Sequence, residues 1–277
     1  MSKVFFIAEA GKNFIDHDWK EKQFTIPYYL ERAQMLVRAA KKAGADAVKF
    51  QCHVFEDEAA FRGVHRHDWI KFNESITTEG FWKELKAYCD SLEIEFMCTP
   101  MSKMAAEKIN PFVKRWKVGS GNVTDMELLK FMAETKKPVI LSTGMSTQIE
   151  VGIATHILKD NELSLLYCKS IYPCPSEQVN LAMIQRLKDV GKVVGFSDHT
   201  TDITMPMKAT IRGAEIIEKH FTLCKEDVGP DHKFSLEPHE LTWAIKLVRD
   251  YERYDNLGDV VLWPEEDEIR LRMKFNA

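Results

Sequence analysis

The chain has 277 residues, 45% of them hydrophobic and 29% charged, with a formal net charge of −4. That charge gives no electrostatic footing for nucleic acid or an anionic membrane, and no apolar run approaches the about 18 residues of a membrane span. Six cysteines lie scattered, none in a C-x-x-C pair and with no secretory leader before the first apolar run, which reads as reduced thiols in a cytoplasmic protein.

In chain order, short apolar runs recur at 4–10 (VFFIAEA), 46–51 (DAVKFQ), 94–99 (IEFMCT), 115–120 (RWKVGS), 138–143 (PVILST), 163–168 (LSLLYC), 193–198 (VVGFSD) and 215–221 (EIIEKHF). Between and after them, helical spacing covers 27–43, 80–92, 103–109, 125–135, 148–158, 179–190, 204–213 and 237–252. Continuous apolar strands alternating with helices imply a parallel sheet sheathed by helices. Eight such units at this length predict a (β/α)8 barrel; an open doubly wound sheet is the alternative, and the unbroken alternation favours closure. No low-complexity linker divides the chain, so one barrel domain is expected over 1–277, with 253–277 as a tail. The connection 52–78 is long, as lids and binding loops are.

Reacting groups of a barrel sit at the carboxyl ends of its strands. Taken strand by strand, those ends offer Glu9; Lys49 and Gln51; Thr99; Lys117 and Ser120; Ser142 and Thr143; Ser170 and Tyr172; Ser197 and His199; Glu218 and His220. A single serine there is ordinarily a helix cap, and Ser146 and Thr124 are read so. Lys49 and Lys117 differ, because each is embedded in an apolar strand. Burying an unpaired ammonium is costly, so two inward lysines call for an anion, and the hydroxyls and glycine amides around them suit phosphate.

A lone histidine at a strand end is more often a hydrogen-bonded core residue than a ligand, and His17, His65, His67, His156 and His239 take that reading. His199 and His220 lie on successive strands about 4.8 Å apart, with Ser197 and Glu218 two residues before them. Two imidazoles with oxygen ligands suit a first-row divalent metal. On spacing alone, a metal pair and a structural pair are equally good readings.

The stretches IAEAGKN, AGADAVKFQ, EFMCTP, KVGSGNVTDMELLK, KPVILSTGMST, IYPCPSEQVNL, VGFSDHT and IIEKHFTLCKEDVGPDHKFSLEPHEL together resemble the sialic acid synthase family, over residues 7 to about 240. That resemblance implies the barrel, and condensation of phosphoenolpyruvate with an N-acetylated amino sugar. By motif, His199 and His220 match the metal pair, usually holding manganese. Lys49, Thr99, Lys117, Ser120, Ser142 and Ser197 match the phosphoenolpyruvate pocket; Ser170 stands where many members have asparagine. Glu9, Gln51, Tyr172, Glu218 and Asp231 match residues around the metal, the sugar and the reacting carbons, with Glu218 as first candidate for the base that assists water and Glu9 as second.

Some positions depart from the family pattern. The family's GINHNG is GKNFID here, placing Phe14 where histidine is usual, and GSGE is GSGN, placing Asn122 for glutamate. Members are usually dimers and continue into a small C-terminal antifreeze-like domain; this chain is expected to lack it. The sugar pocket would then be completed by the 52–78 connection, the tail, or a separate partner protein. Two rivals stand beside this reading: a related phosphoenolpyruvate-condensing synthase using a sugar phosphate, and a non-catalytic sugar-binding barrel.

Overall fold

Each predicted apolar run becomes a strand. The computed structural model describes residues 3–15, 25–59, 67–188, 193–255 and 264–273. The strands are β1 (Phe5–Gly11), β2 (Ala47–Cys52), β3 (Glu95–Pro100), β4 (Trp116–Val118), β5 (Val139–Ser142), β6 (Leu163–Cys168), β7 (Val193–Asp198) and β8 (Ile216–His220). Their ladder order is β3-β2-β1-β8-β7-β6-β5-β4, all parallel. Successive strands are neighbours, the first meets the last, and β4 lies beside β3. An open doubly wound sheet needs a reversal of strand order at a switch point; this cyclic order is that of a (β/α)8 barrel.

The helices are α1 (Ile26–Ala43), α2 (Phe55–Ala59), α3 (His67–Ile76), α4 (Glu79–Ser91), α5 (Lys103–Ile109), α6 (Met126–Glu134), α7 (Gln148–Ile157), α8 (Ala182–Lys188), α9 (Met205–Ile211), α10 (Pro238–Asp255) and α11 (Pro264–Met273). In α1 the buried residues Tyr29, Ala33, Leu36, Val37 and Ala40 recur at three- and four-residue spacing, giving one apolar stripe against the sheet. Gly44 ends the helix at φ 93°, its N–H donating to the carbonyls of Ala40 and Lys41. Among the described residues no helix is long and apolar enough to cross a membrane.

The sequence reading is corrected in four places. The long 52–78 connection, read as a lid or binding loop, carries two helices of its own, α2 and α3. The cap of α6 is Asp125 rather than Thr124, and that of α7 is Thr147 rather than Ser146. Thr147 forms a reciprocal box with Glu150, while the Ser146 hydroxyl turns back to the Gly144 carbonyl. β4 stops at Val118, so Ser120 sits on a following 3-10 turn (Ser120–Asn122) rather than on the strand. His17 and His65 lie outside the described residues.

Strand alternation separates two kinds of core. Residues facing the helices, such as Phe6, Val48, Phe96 and Phe196, join the main apolar core. Inside the barrel, Ile7, Ala47, Met97, Ile140, Leu166 and Ile216 form a smaller apolar plug. Gly195 is required beside it: a Cβ there would lie 2.2 Å from the Ile216 carbonyl oxygen and 2.6 Å from Leu166.

Candidate active site

Two residues beyond the plug, the barrel interior turns polar. Ile7 is followed at that spacing by Glu9, Ala47 by Lys49, Met97 by Thr99, Ile140 by Ser142, Gly195 by Ser197 and Ile216 by Glu218. Period-two alternation keeps each pair on one face, so the same strands that build an apolar floor carry the charges above it. Lys49 Nζ lies 2.6 Å from Glu9 Oε2, 2.7 Å from Thr99 Oγ1 and 3.7 Å from Glu218 Oε2. Lys117 Nζ donates to Ser142 Oγ at 2.6 Å and to the Val118 carbonyl at 3.0 Å, and lies 3.8 Å from Glu218 Oε1. The Ser197 hydroxyl donates to Glu218 Oε1 at 2.9 Å, and the Gln51 amide to Glu9 Oε1 at 3.0 Å. The two inward ammonium groups therefore already have anionic partners, Glu9 and Glu218, which the apolar flanks of the lysines did not reveal.

The two carboxylates are tuned apart. Burial pushes Glu9 up to about 7 against the pull of Lys49, with Glu218 adding to the rise. Burial also acts on Glu218, but Lys117, Lys49 and the Ser197 hydrogen bond outweigh it and hold that carboxyl below its usual range. Burial likewise works against the charge on both lysines. Glu218 and Glu9 overcome it at Lys49, which is raised, while Lys117, with Lys49 nearby, is lowered.

Above this cluster is a cavity of about 140 Å³. Its lining includes Glu9, Lys49, Gln51, Thr99, Lys117, Ser120, Ser142, Tyr172, Ser197, His199, Glu218 and His220. Ser170 and Asp231 are not part of that lining. Ser170 Oγ lies 3.9 Å from Cys168 Sγ and hydrogen-bonds Tyr172, which does line the cavity. Asp231 lies beside Gly11, within 3.6 Å of Lys12 Nζ. On the wall, the Gly144 N–H donates to Ser120 Oγ at 3.2 Å, and that oxygen is 3.0 Å from Cys168 Sγ. Any Cβ at Gly144 would come within 2.3 Å of Ser170 Oγ and 2.4 Å of Cys168 Sγ. Sequence reading missed Met101 and Met145, which also line the cavity. Met101 directly follows β3, a position that could have marked it; Met145 holds φ 58°, a backbone state invisible in the sequence.

His199 and His220 do meet at the cavity, with ring centroids 5.7 Å apart. His199 Nδ1 is 2.7 Å from the Lys169 carbonyl, so Nδ1 carries the proton and Nε2 keeps its lone pair. Burial lowers the pKa of His199, and lowers that of His220 well below the ordinary value, with His199 and Lys49 adding to the effect. Both rings are thus neutral, the form that binds metals. Among the described residues His220 Nδ1 is buried with no hydrogen-bond partner, an orphaned polar atom that a bound cation would satisfy. The pair fits a divalent ion as two donors; among the described residues no third His, Cys, Asp or Glu joins them. Tyr172 covers His199 at 4.2 Å between centroids, and Phe234 packs on His220 at 5.0 Å. Burial raises the Tyr172 phenol, which stays protonated. Asp198, although adjacent to His199, points away from the cavity to Lys219. His156 and His239 are exposed, away from the site.

A larger cavity, about 670 Å³, adjoins the first through Gln51 and Met101. Its walls include Lys12, His53, Trp69, Lys225 and Lys233, so α3 and the segment before α2 contribute to it. It offers room for a second, bulkier molecule beside whatever fills the inner cavity.

The chain is 37% identical over 271 residues to an uncharacterized protein of Methanocaldococcus jannaschii, covering 96% of this chain and 76% of that one. It is 37% identical over 289 residues to the N,N'-diacetyllegionaminic acid synthase of Legionella pneumophila, covering 97% and 77%. The crystal structure of an N-acetylneuraminic acid (sialic acid) synthetase from Leptospira borgpetersenii, in complex with citrate, superposes with a TM-score of 0.83 at 30% identity, covering 99% of this chain and 94% of that one. With residues 36–259 matching the NeuB family across nearly the whole barrel, this chain belongs to that family.

Proposed function

We propose that this chain is a synthase that condenses phosphoenolpyruvate with an N-acetylated amino sugar and water, releasing phosphate and a nonulosonic acid. The observation that carries the reading is the buried cluster of Glu9, Lys49, Lys117 and Glu218 beside a pair of neutral imidazoles. Similarity to named legionaminic and sialic acid synthases supports it.

In this reading Lys49, Lys117, Thr99 and Ser142 hold the phosphate and carboxylate of phosphoenolpyruvate. Their hydrogen bonds within the chain place these donors on one wall before substrate arrives. A carbon–carbon bond forms between the enol methylene and the sugar aldehyde carbon as the aldehyde carbonyl π bond breaks, and its oxygen becomes a hydroxyl with the proton that the added water gives up. Water adds at the neighbouring carbon, and phosphate leaves with cleavage of its carbon–oxygen bond. Glu218, held ionised by two lysines, accepts the proton of that water; Glu9 orients Lys49 and is the second candidate. When bound at His199 and His220, a divalent metal, manganese in our reading, supplies Lewis-acid polarisation of the aldehyde oxygen. The larger cavity takes the acceptor sugar, with Gln51 at the junction and Asp231 near it.

Phosphate release from phosphoenolpyruvate, measured against a panel of acetamido sugars and sugar phosphates with manganese or with chelator, tests this. Release is expected with an acetamido sugar and manganese, and suppression by chelator. Release with sugar phosphates alone would transfer the protein to the related sugar-phosphate synthases. Silence with every acceptor and metal would leave a non-catalytic sugar-binding barrel.

A further inference from the structure

Asp198 and Lys219 face each other directly across β7 and β8. Strand alternation turns both to the helix side, opposite their inward neighbours Ser197 and Glu218. Both are buried, Lys219 completely and Asp198 to 1% exposure. Lys219 Nζ lies 2.7 Å from Asp198 Oδ2 and also donates to the Thr200 carbonyl, with Thr200 Oγ1 3.4 Å away. The other carboxylate oxygen, Asp198 Oδ1, accepts the Thr200 N–H at 2.8 Å. One ion pair therefore grips the residue on each side of His199, and the ammonium belongs to the residue just before His220.

A buried ion pair is a poor way to gain stability, because desolvation offsets most of the attraction and an apolar pair of similar volume packs as well. An apolar pair cannot bind the Thr200 amide and carbonyl. We propose that Lys219 and Asp198 are positioning residues, which from outside the barrel fix the orientation of His199 relative to His220. Two further contacts with backbone groups complete the fixing. Lys169 accepts from the His199 ring, and the Cys174 N–H donates to the His199 carbonyl at 2.9 Å. The inference rests on the reading of the two imidazoles as a cation site, but its primary test needs no cation.

The test compares the parent with the double variant D198N/K219M, which removes both charges at near-constant volume and so is built to fold. In metal-free protein, nitrogen-15 spectra of the imidazoles report the His199 tautomer. The parent is expected to show one fixed tautomer with the proton on Nδ1, and the double variant an averaged signal. Affinity for Mn²⁺ alone, from the spectrum of free ion, is expected to fall at least about tenfold, as for loss of other groups that orient metal ligands. Affinity for phosphoenolpyruvate in the absence of metal is expected to hold. A folded double variant with the parent's tautomer signal overturns the proposal. Should the double variant not fold, Asp198→Asn is measured in the same way, and an unchanged tautomer there has the same force. A parent that binds no Mn²⁺ would sink the metal reading, while the tautomer spectra still decide the positioning role.

Discussion

Lys49 and Glu9 are paired across β1 and β2 with Nζ and Oε2 2.6 Å apart, and both side chains are buried. The carboxyl is nevertheless raised from 4.5 to about 7, because burial outweighs the attraction of the lysine and Glu218 repels it. Between those two pH values the folded chain retains a proton that the unfolded chain has released. Glu9 therefore favours folding less and less as pH rises through that window, and beyond it the full cost stands. Relative to Glu9→Gln, the parent should lose on the order of 3 kcal/mol between pH of about 4.5 and about 7, since each pKa unit is worth ~1.4 kcal/mol. Urea denaturation of both proteins across that range checks it. A stability difference independent of pH would show that Glu9 is ionised throughout.

Lys117 is the buried ammonium with the weaker anionic partnership, at 3.8 Å from Glu218 and with its pKa lowered by burial. A ligand phosphate or carboxylate completes its environment. Lys117→Ala is expected to weaken phosphoenolpyruvate binding by roughly ten- to a hundredfold, the value of one charge-assisted hydrogen bond, with far less effect on the sugar. Equal phosphoenolpyruvate affinity in calorimetric titrations of variant and parent would remove Lys117 from that pocket.

Gly144 leaves no room for a side chain, with Ser170 Oγ and Cys168 Sγ both closer than 2.5 Å to the position a Cβ would take. Gly144→Ala must displace the wall that carries Ser120. The expected result is a folded protein whose phosphoenolpyruvate affinity drops about tenfold or more. Retention of parental affinity would mean that this wall yields without touching the pocket.

Gly195 tests the fold apart from the chemistry. An alanine methyl would meet the backbone oxygen of Ile216, which cannot rotate away, so β7 and β8 must separate. Gly195→Ala is expected to destabilise by about 2 kcal/mol or more, within or above the usual range for overpacking. Thermal unfolding at the parental temperature would contradict the close approach of these strands.

His199→Ala and His220→Ala should each abolish sugar condensation and Mn²⁺ binding while leaving the far-ultraviolet spectrum of the parent. Both rings sit at strand ends beyond the apolar plug, so the barrel floor stays packed and the loss is confined to the contacts with Tyr172 and Phe234. Full activity in a metal-stripped parent would count against the assignment of this pair.

Much of this architecture was legible from local pattern. The eight apolar runs all became strands within two residues of their predicted ends, because period and composition are properties of consecutive residues. Helix caps were less legible: Asp125 and Thr147 each sit one residue from the predicted cap, since several polar neighbours compete and backbone direction selects among them. In the 52–78 connection, α2 escaped notice because it has only five residues, whereas Trp69, Phe72 and Ile76 give α3 a helical spacing that was legible but not used.

The sequence by itself determined that eight strands would present polar groups at one end, and that Lys49, Lys117, His199 and His220 would be among them. Only the tertiary structure decided which of these groups touch. Glu9 reaches Lys49, Glu218 sits within 4 Å of both lysines, and Asp198 turns outward to Lys219 although it adjoins His199. The reason is physical. Alternation along a strand is a local consequence of backbone geometry, whereas a contact between strands depends on register and ring closure, which pair residues as distant in the chain as Glu9 and His220.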